Sequence, residues 1–264
     1  MKLSRWITVP ATILSLSVLA TACSESNPTS SPSSATKVES VDSVSPALQR
    51  YGDEVLEDQL WQRPGLAPRE RSIVTVAAMI ARNQTVELPY YMNRALDNGV
   101  TPGELSEMIT HLAFYSGWPD AMAAVEVAEE VFSARHISTD RLAEERPELL
   151  PLDQDFESAR RTRIEGTYGT TGQGVQQFTT DVLFQEVWLR PGLAPRDRSL
   201  TTVSALVATG LTGQITSHLN IAMDNGLTEE QADEVLTQLA FYAGWPRVFS
   251  AMPIFKEVLD ARSL

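Results

Sequence analysis

One module is written twice in this chain, and the repeat sets the architecture. Trp61–Ser72 (WQRPGLAPRERS) recurs as Trp188–Ser199 (WLRPGLAPRDRS), and Arg94–Thr101 (RALDNGVT) recurs as Ile221–Thr228 (IAMDNGLT). Thr110–Pro119 (THLAFYSGWP) recurs as Thr237–Pro246 (TQLAFYAGWP). All three keep a single offset of 127 residues without a gap, and about half the positions from Leu60 to Pro119 match their partners. A period this long is duplication of a whole domain rather than a solenoid repeat of 20–50 residues.

Each copy reads as helical. Pro68 and Pro195 suit a first helical turn, where a missing N–H costs nothing. A mostly apolar run follows, Ile73, Val74, Val76, Ala77, Ala78, Met79 and Ile80 in the first copy, which describes a helix buried on most sides. Asn98-Gly99 and Asn225-Gly226 are helix stops. Thr101 with Glu104, and Thr228 with Gln231, have capping-box spacing for the next helix, which ends near Gly117 in the first copy. Pro119 and Pro246 then open a final helix. No stretch sustains an alternation of period two, so the expected fold is all-α, two tandem helical bundles.

What precedes the repeat is an address and a tether. Lys2 and Arg5, an apolar stretch from Ile13 to Ala20 and the small residues Ala20-Thr21-Ala22 make residues 1–22 an export signal. The chain's one cysteine, Cys23, follows directly, in a sequence that resembles a bacterial lipobox; the expectation is a lipidated Cys23 that anchors an exported protein to a membrane of the cell envelope. Secretion without a lipid is the alternative. Residues 23–46 are Ser- and Pro-rich with almost nothing to bury, a flexible tether. Module 1 is then expected over 47–135, a linker over 136–151 and module 2 over 152–264, with Asp153–Glu165 as a first helix of the second module.

Charge and cysteine count exclude several functions. Lys and Arg number 21 against 34 Asp and Glu, a net charge of −13, so nucleic acid is not the expected partner. A single cysteine permits no internal disulfide, no CxxC redox pair and no cysteine-based zinc site.

The assembled pattern, R-P-G-L-x-P-R-[DE]-R-S, then A-x-D-N-G-[VL]-T, then L-A-F-Y-x-G-W-P, resembles the carboxymuconolactone decarboxylase family, which shares its fold with alkylhydroperoxidase D-like proteins. The resemblance covers Gln49–Phe132 and Asp153–Val258. It implies a compact helical bundle, ring-like homo-oligomers in which a two-copy chain fills two positions, and cofactor-free loss of CO2 from a small carboxylated unsaturated lactone. The peroxidase branch of that fold uses a CxxC pair, which this chain lacks.

The resemblance also nominates residues. Family members carry a Glu and, four residues later, a His before A-x-D-N-G, and many carry a second His in T-H-L-A-F-Y. Glu87 fills the Glu position in the first copy, with Tyr91 where the His is expected, and His111 fills the T-H-L position. In the second copy His218 fills the central His position, while Gln214 and Gln238 replace the other two. One reading joins Glu87, His111 and His218 in a composite catalytic site between copies or subunits. Others leave an altered pocket in one copy, or ordinary polar groups satisfied by their neighbours. A Glu/His/His set also suits a metal, but the family chemistry is metal-free and no metal is expected. Arg71 and Arg198 are candidates to hold a substrate carboxylate through the bidentate guanidinium. Arg69 and Arg196 suit structural ion pairs better. Trp61, Trp118, Trp188 and Trp245 suit packing or interface roles. His136 falls in the linker. Two function classes follow: a cofactor-free enzyme on a small molecule, or a non-catalytic surface lipoprotein that uses its bundle for binding or assembly.

Overall fold

The structure, a computed structural model, describes residues 41–263. The export signal, Cys23 and most of the tether lie outside the described residues. The first copy runs α1 (Val41–Val44), α2 (Pro46–Tyr51), a π-helical turn (Gly52–Glu57) and a 3-10 turn (Leu60–Gln62). Then come α3 (Pro68–Ala81), α4 (Leu88–Asp97), α5 (Pro102–Tyr115) and α6 (Trp118–Ala134). The second copy repeats this order with α7 (Gln154–Tyr168), α8 (Gln173–Phe178), a π-helical turn (Thr179–Phe184) and a 3-10 turn (Val187–Leu189). Helices α9 (Pro195–Thr209), α10 (Ile215–Asp224), α11 (Glu229–Ala243) and α12 (Trp245–Arg262) complete it. There is no strand among the described residues. Within the described end of the expected tether, Val41–Val44 is helical and exposed or half-buried.

The local signals act where the sequence puts them. Pro68 and Pro195 open α3 and α9. Gly99 and Gly226 follow α4 and α10 with φ of 92° and 98°, values a side chain would resist. Thr101 and Thr228 accept from the backbone N–H groups of Glu104 and Gln231, and those side chains accept in return from the N–H of Thr101 and Thr228. Asp153 caps α7 by accepting from the Phe156 N–H at 2.9 Å.

The two copies are not beads on a string. Helix α3 packs along its counterpart α9; α5 of the first copy lies on α9, and α11 of the second lies on α3. Ile73, Val76 and Ala77 of α3 and Leu200, Val203 and Val207 of α9 are all fully buried in one shared hydrophobic core. Neither copy closes its core without the other.

Candidate active site between the copies

The interleaving is fixed by two reciprocal polar latches. Glu107 on α5 accepts from Arg190 Nε and Nη2 through Oε1, at 2.8 and 2.6 Å, and from Arg198 Nη2 through Oε2 at 2.8 Å. The counterpart Glu234 on α11 accepts from Arg63 Nε and Nη2 at 2.7 and 2.9 Å and from Arg71 Nη2 at 2.9 Å. Each carboxylate thus belongs to one copy and both of its arginines to the other. The glycine of each R-P-G-L motif makes room: a Cβ on Gly192 would stand 2.7 Å from Glu107 Cγ, and one on Gly65 2.9 Å from Glu234 Cβ and Cγ. Arg69 pairs with Asp197 at 2.7 Å and with Glu104, while Arg196 pairs with Glu70 and with Asp197 at 3.1 Å. These are the structural ion pairs the sequence suggested.

Beside the Glu107 latch, α5 of the first copy meets α9 and α10 of the second. Thr202 donates its hydroxyl proton to the Arg198 carbonyl at 3.0 Å. It must therefore accept from His111 Nε2, 2.7 Å away. That network assigns the His111 proton to Nε2 and leaves Nδ1 as a lone pair, facing Arg198 Nη1 at 3.5 Å. Tyr115, one turn along α5, accepts from Trp188 Nε1 at 2.8 Å, which leaves its own O–H free to donate. The Tyr115 ring lies 4.8 Å from that of His111 and 5.2 Å from that of His218. Trp188 stacks on His218 at 6.0 Å and 11°.

Two buried polar atoms here have no hydrogen-bond partner, Arg198 Nε and His218 Nδ1. Burial, with Arg198 and His218 nearby, holds His111 well below the usual imidazole range. Burial, reinforced by Arg163, pushes His218 down to about 4. Burial raises Tyr115, so it is a neutral phenol. Both histidines are uncharged at neutral pH, unlike the mid-range imidazole that general acid chemistry favours.

The counterpart cluster is closed by its own side chains. Tyr91, at the position of His218, accepts from Tyr242 at 3.1 Å, and Tyr242 accepts from Trp61 Nε1 at 2.8 Å. Gln238, at the position of His111, donates to Thr75 at 3.0 Å and accepts from Arg71 Nη1 at 2.9 Å.

The structure therefore brings His111, His218 and Arg198 together and sets Glu87 and Arg71 apart from them. Exposed Glu87 precedes α4, one turn before Tyr91, and its charge acts on Tyr91 rather than on either histidine. Within one chain Glu87 does not join the two histidines. Arg71 is fully buried and held by Glu234, Gln238 and the Arg63 carbonyl, so it is a latch residue of the Tyr91 half. His136 is exposed in the linker. Sequence reasoning does not single out Glu107, Tyr115 or Thr202, and it gives Trp188 only a packing role. Their signal was available: each is identical to its partner 127 residues away, unlike the histidines.

Comparison with known proteins follows the same duplication. The model of the carboxymuconolactone decarboxylase family matches residues 46–130 and again 173–257. The 4-carboxymuconolactone decarboxylase of Acinetobacter baylyi is 39% identical over 84 residues, 32% of this chain and 63% of that one. The nitrosuccinic acid decarboxylase of Metarhizium robertsii is 33% identical over 88 residues, 32% of this chain and 62% of that one. The chain thus spans about three fifths of the length of the curated relatives it matches. A crystal structure of a candidate gamma-carboxymuconolactone decarboxylase subunit from Burkholderia xenovorans aligns with TM-score 0.43 and 21% identity, over 81% of this chain and 85% of that one.

Proposed function

The chain belongs to the carboxymuconolactone decarboxylase family, and we propose that it is a cofactor-free lyase removing CO2 from a small carboxylated lactone or β-keto acid. The observation that carries this reading is the unpartnered buried Nδ1 of His218, which has no counterpart at Tyr91, in the cluster that also holds the unpartnered Arg198 Nε. Buried polar groups are almost always satisfied, and two unsatisfied ones on neighbouring helices of the second copy fit a polar ligand. The two relatives named as decarboxylases support the reaction class.

In this reading Arg198 holds the substrate carboxylate through its unpartnered Nε. The bond to the carboxylate breaks, and its electron pair moves into the conjugated carbonyl. Tyr115 donates its O–H to the enolate oxygen that forms. His218 enters neutral; the bound anion raises its pKa, so it takes up a proton and delivers it to carbon. The Tyr91 half, with Tyr91 and Gln238 in place of the two histidines, serves assembly rather than chemistry.

Export and lipidation at Cys23 complete the proposal, resting on Lys2, Arg5 and the apolar stretch before it. Among the described residues no helix is long and apolar enough to cross a membrane. Ring-like self-association is supported by two exposed aromatic pairs related by the repeat, Phe114–Trp118 and Phe241–Trp245. The test of the reaction is CO2 release from a panel of small unsaturated lactones and β-keto acids. One substrate should turn over, and His218→Gln should lower kcat by ~10²–10⁴-fold. Turnover that survives this substitution removes the assignment.

A further inference from the structure

We propose that the cavity on the far side of Trp188 from His218 is a binding site for a small, neutral, flat apolar molecule. The cavity holds about 480 Å³ and is lined by Leu150, Leu152, Phe156, Phe184, Trp188 and Ile221 among others. Small-molecule sites commonly span ~300–1,000 Å³. Neither histidine lines it. Phe184 and Trp188, both in its lining, lie nearly parallel, 5.8 Å apart at 4°, with the Arg160 guanidinium over the Phe184 ring at 4.4 Å.

The polar groups at its edge are already committed. Asp153 accepts from the Phe156 N–H, Glu157 from Arg160, and Asp224 from Arg262, while Asn225 donates to Ser199. Those hydrogen bonds hold the edge groups in place, and the larger part of the exposed lining is apolar. The carboxylates of Asp153, Glu157 and Asp224 also disfavour an anionic occupant.

The repeat supplies an internal control. At the equivalent place in the first copy, Arg94 lies over Trp61 with its guanidinium carbon 3.5 Å from the ring centroid, and donates to both oxygens of Glu57 at 2.9 and 2.8 Å. An ion pair thus covers that tryptophan. In the second copy the same two positions are Ile221 and Phe184. The second copy sets its Arg160–Glu157 pair over Phe184 instead, and Ile221 and Phe184 line the cavity there.

The test uses the full chain and the neutral fluorescent probe N-phenyl-1-naphthylamine. Saturable binding at one probe per chain, with a blue-shifted emission, is expected. The double variant Phe184→Glu/Ile221→Arg rebuilds the first copy's ion pair and should weaken binding at least tenfold. Leu152→Asp, on the irregular segment before α7, should weaken it too without touching the core. Val125→Asp, on a different apolar surface, should leave binding unchanged. No saturable binding by the full chain, as when a segment of the chain fills the cavity, overturns the proposal. So does binding unaffected by Leu152→Asp or by a folded double variant, or binding lost in Val125→Asp. None of these readings depends on decarboxylase activity.

Discussion

Glu107 and Arg198, 91 residues apart and both fully buried, meet at 2.8 Å across the contact between the copies. The relationship is repeated by Glu234 and Arg71 at 2.9 Å. Removing one partner of a buried pair strands the other charge, which costs about 3–5 kcal/mol. Glu107→Ala is therefore expected to lower unfolding stability by that order in urea denaturation. Glu234→Ala should cost less, because Arg63, one of its two partners, is 48% exposed and can turn to water. Equal losses, or a loss below 1 kcal/mol at Glu107, would contradict the latch.

Gly192 offers an independent probe of the same contact. Its Cβ would meet the Cγ of Glu107 at 2.7 Å, too close for a real contact. Gly192→Ala should cost about 1–3 kcal/mol, the usual range for overpacking, seen as a lower Tm. Glycine is required here by close approach, since Gly192 is not among the residues with positive φ. A Tm within error of the original would show that Glu107 has room to retreat.

The helices were legible because their signals are local. Proline at the first turn, Asn-Gly at the stop and Thr-x-x-Glu at the cap each act within one turn of chain. The swap of α5 and α11 onto the other copy's central helix was not legible, since repetition says that two copies exist and not how they interlock. The same gap misdirected the site. Family position groups Glu87 with the histidines, but α10 meets α5, so His218 lies edge-on to Tyr115, one turn from His111, while Glu87 stays beside Tyr91. The π-helical turns before Leu60 and Val187 carry no marker that periodicity would reveal.

The depressed pKa of His218 makes stability depend on pH in a definite direction. In the unfolded chain an ordinary histidine takes up its proton near pH 6.5, whereas folded His218 resists protonation down to about 4. Between those values the unfolded state binds more protons. Stability contributed by the neutral ring is complete above pH 6.5 and falls as pH drops toward 4. Subtracting the Tm–pH profile of His218→Gln from that of the original chain should isolate a loss confined to that window. A flat difference profile would mean that His218 is hydrated in solution.

Self-association should depend on the exposed aromatic pairs. Trp118 and Trp245 are 60% and 50% exposed, each packed edge-on against a phenylalanine one turn earlier. Exposed clusters of this kind mark interaction surfaces, and the repeat places one on each copy. Trp118→Glu/Trp245→Glu should shift sedimentation from oligomer to single chain while the helical circular dichroism is kept. An oligomer that survives both charges must use a different face.

The last prediction separates the His218 half from the Tyr91 half by activity, on whichever substrate the panel identifies. Tyr115→Phe removes the one O–H in the cluster not spent on a neighbour and should lower kcat by roughly 10²-fold, the effect of losing one donor to a developing oxyanion. It also strands Trp188 Nε1, so stability should fall by about 1–3 kcal/mol; the kinetic comparison is made where both proteins are folded. KM should move little if the carboxylate is held by Arg198 and the phenol acts only as charge develops. Glu87→Gln, on the exposed start of α4, should leave both constants unchanged, because its charge reaches Tyr91 and neither histidine. If Glu87→Gln instead matches Tyr115→Phe, the two halves work as one site despite their separation, and the division of chemistry and assembly between them is wrong.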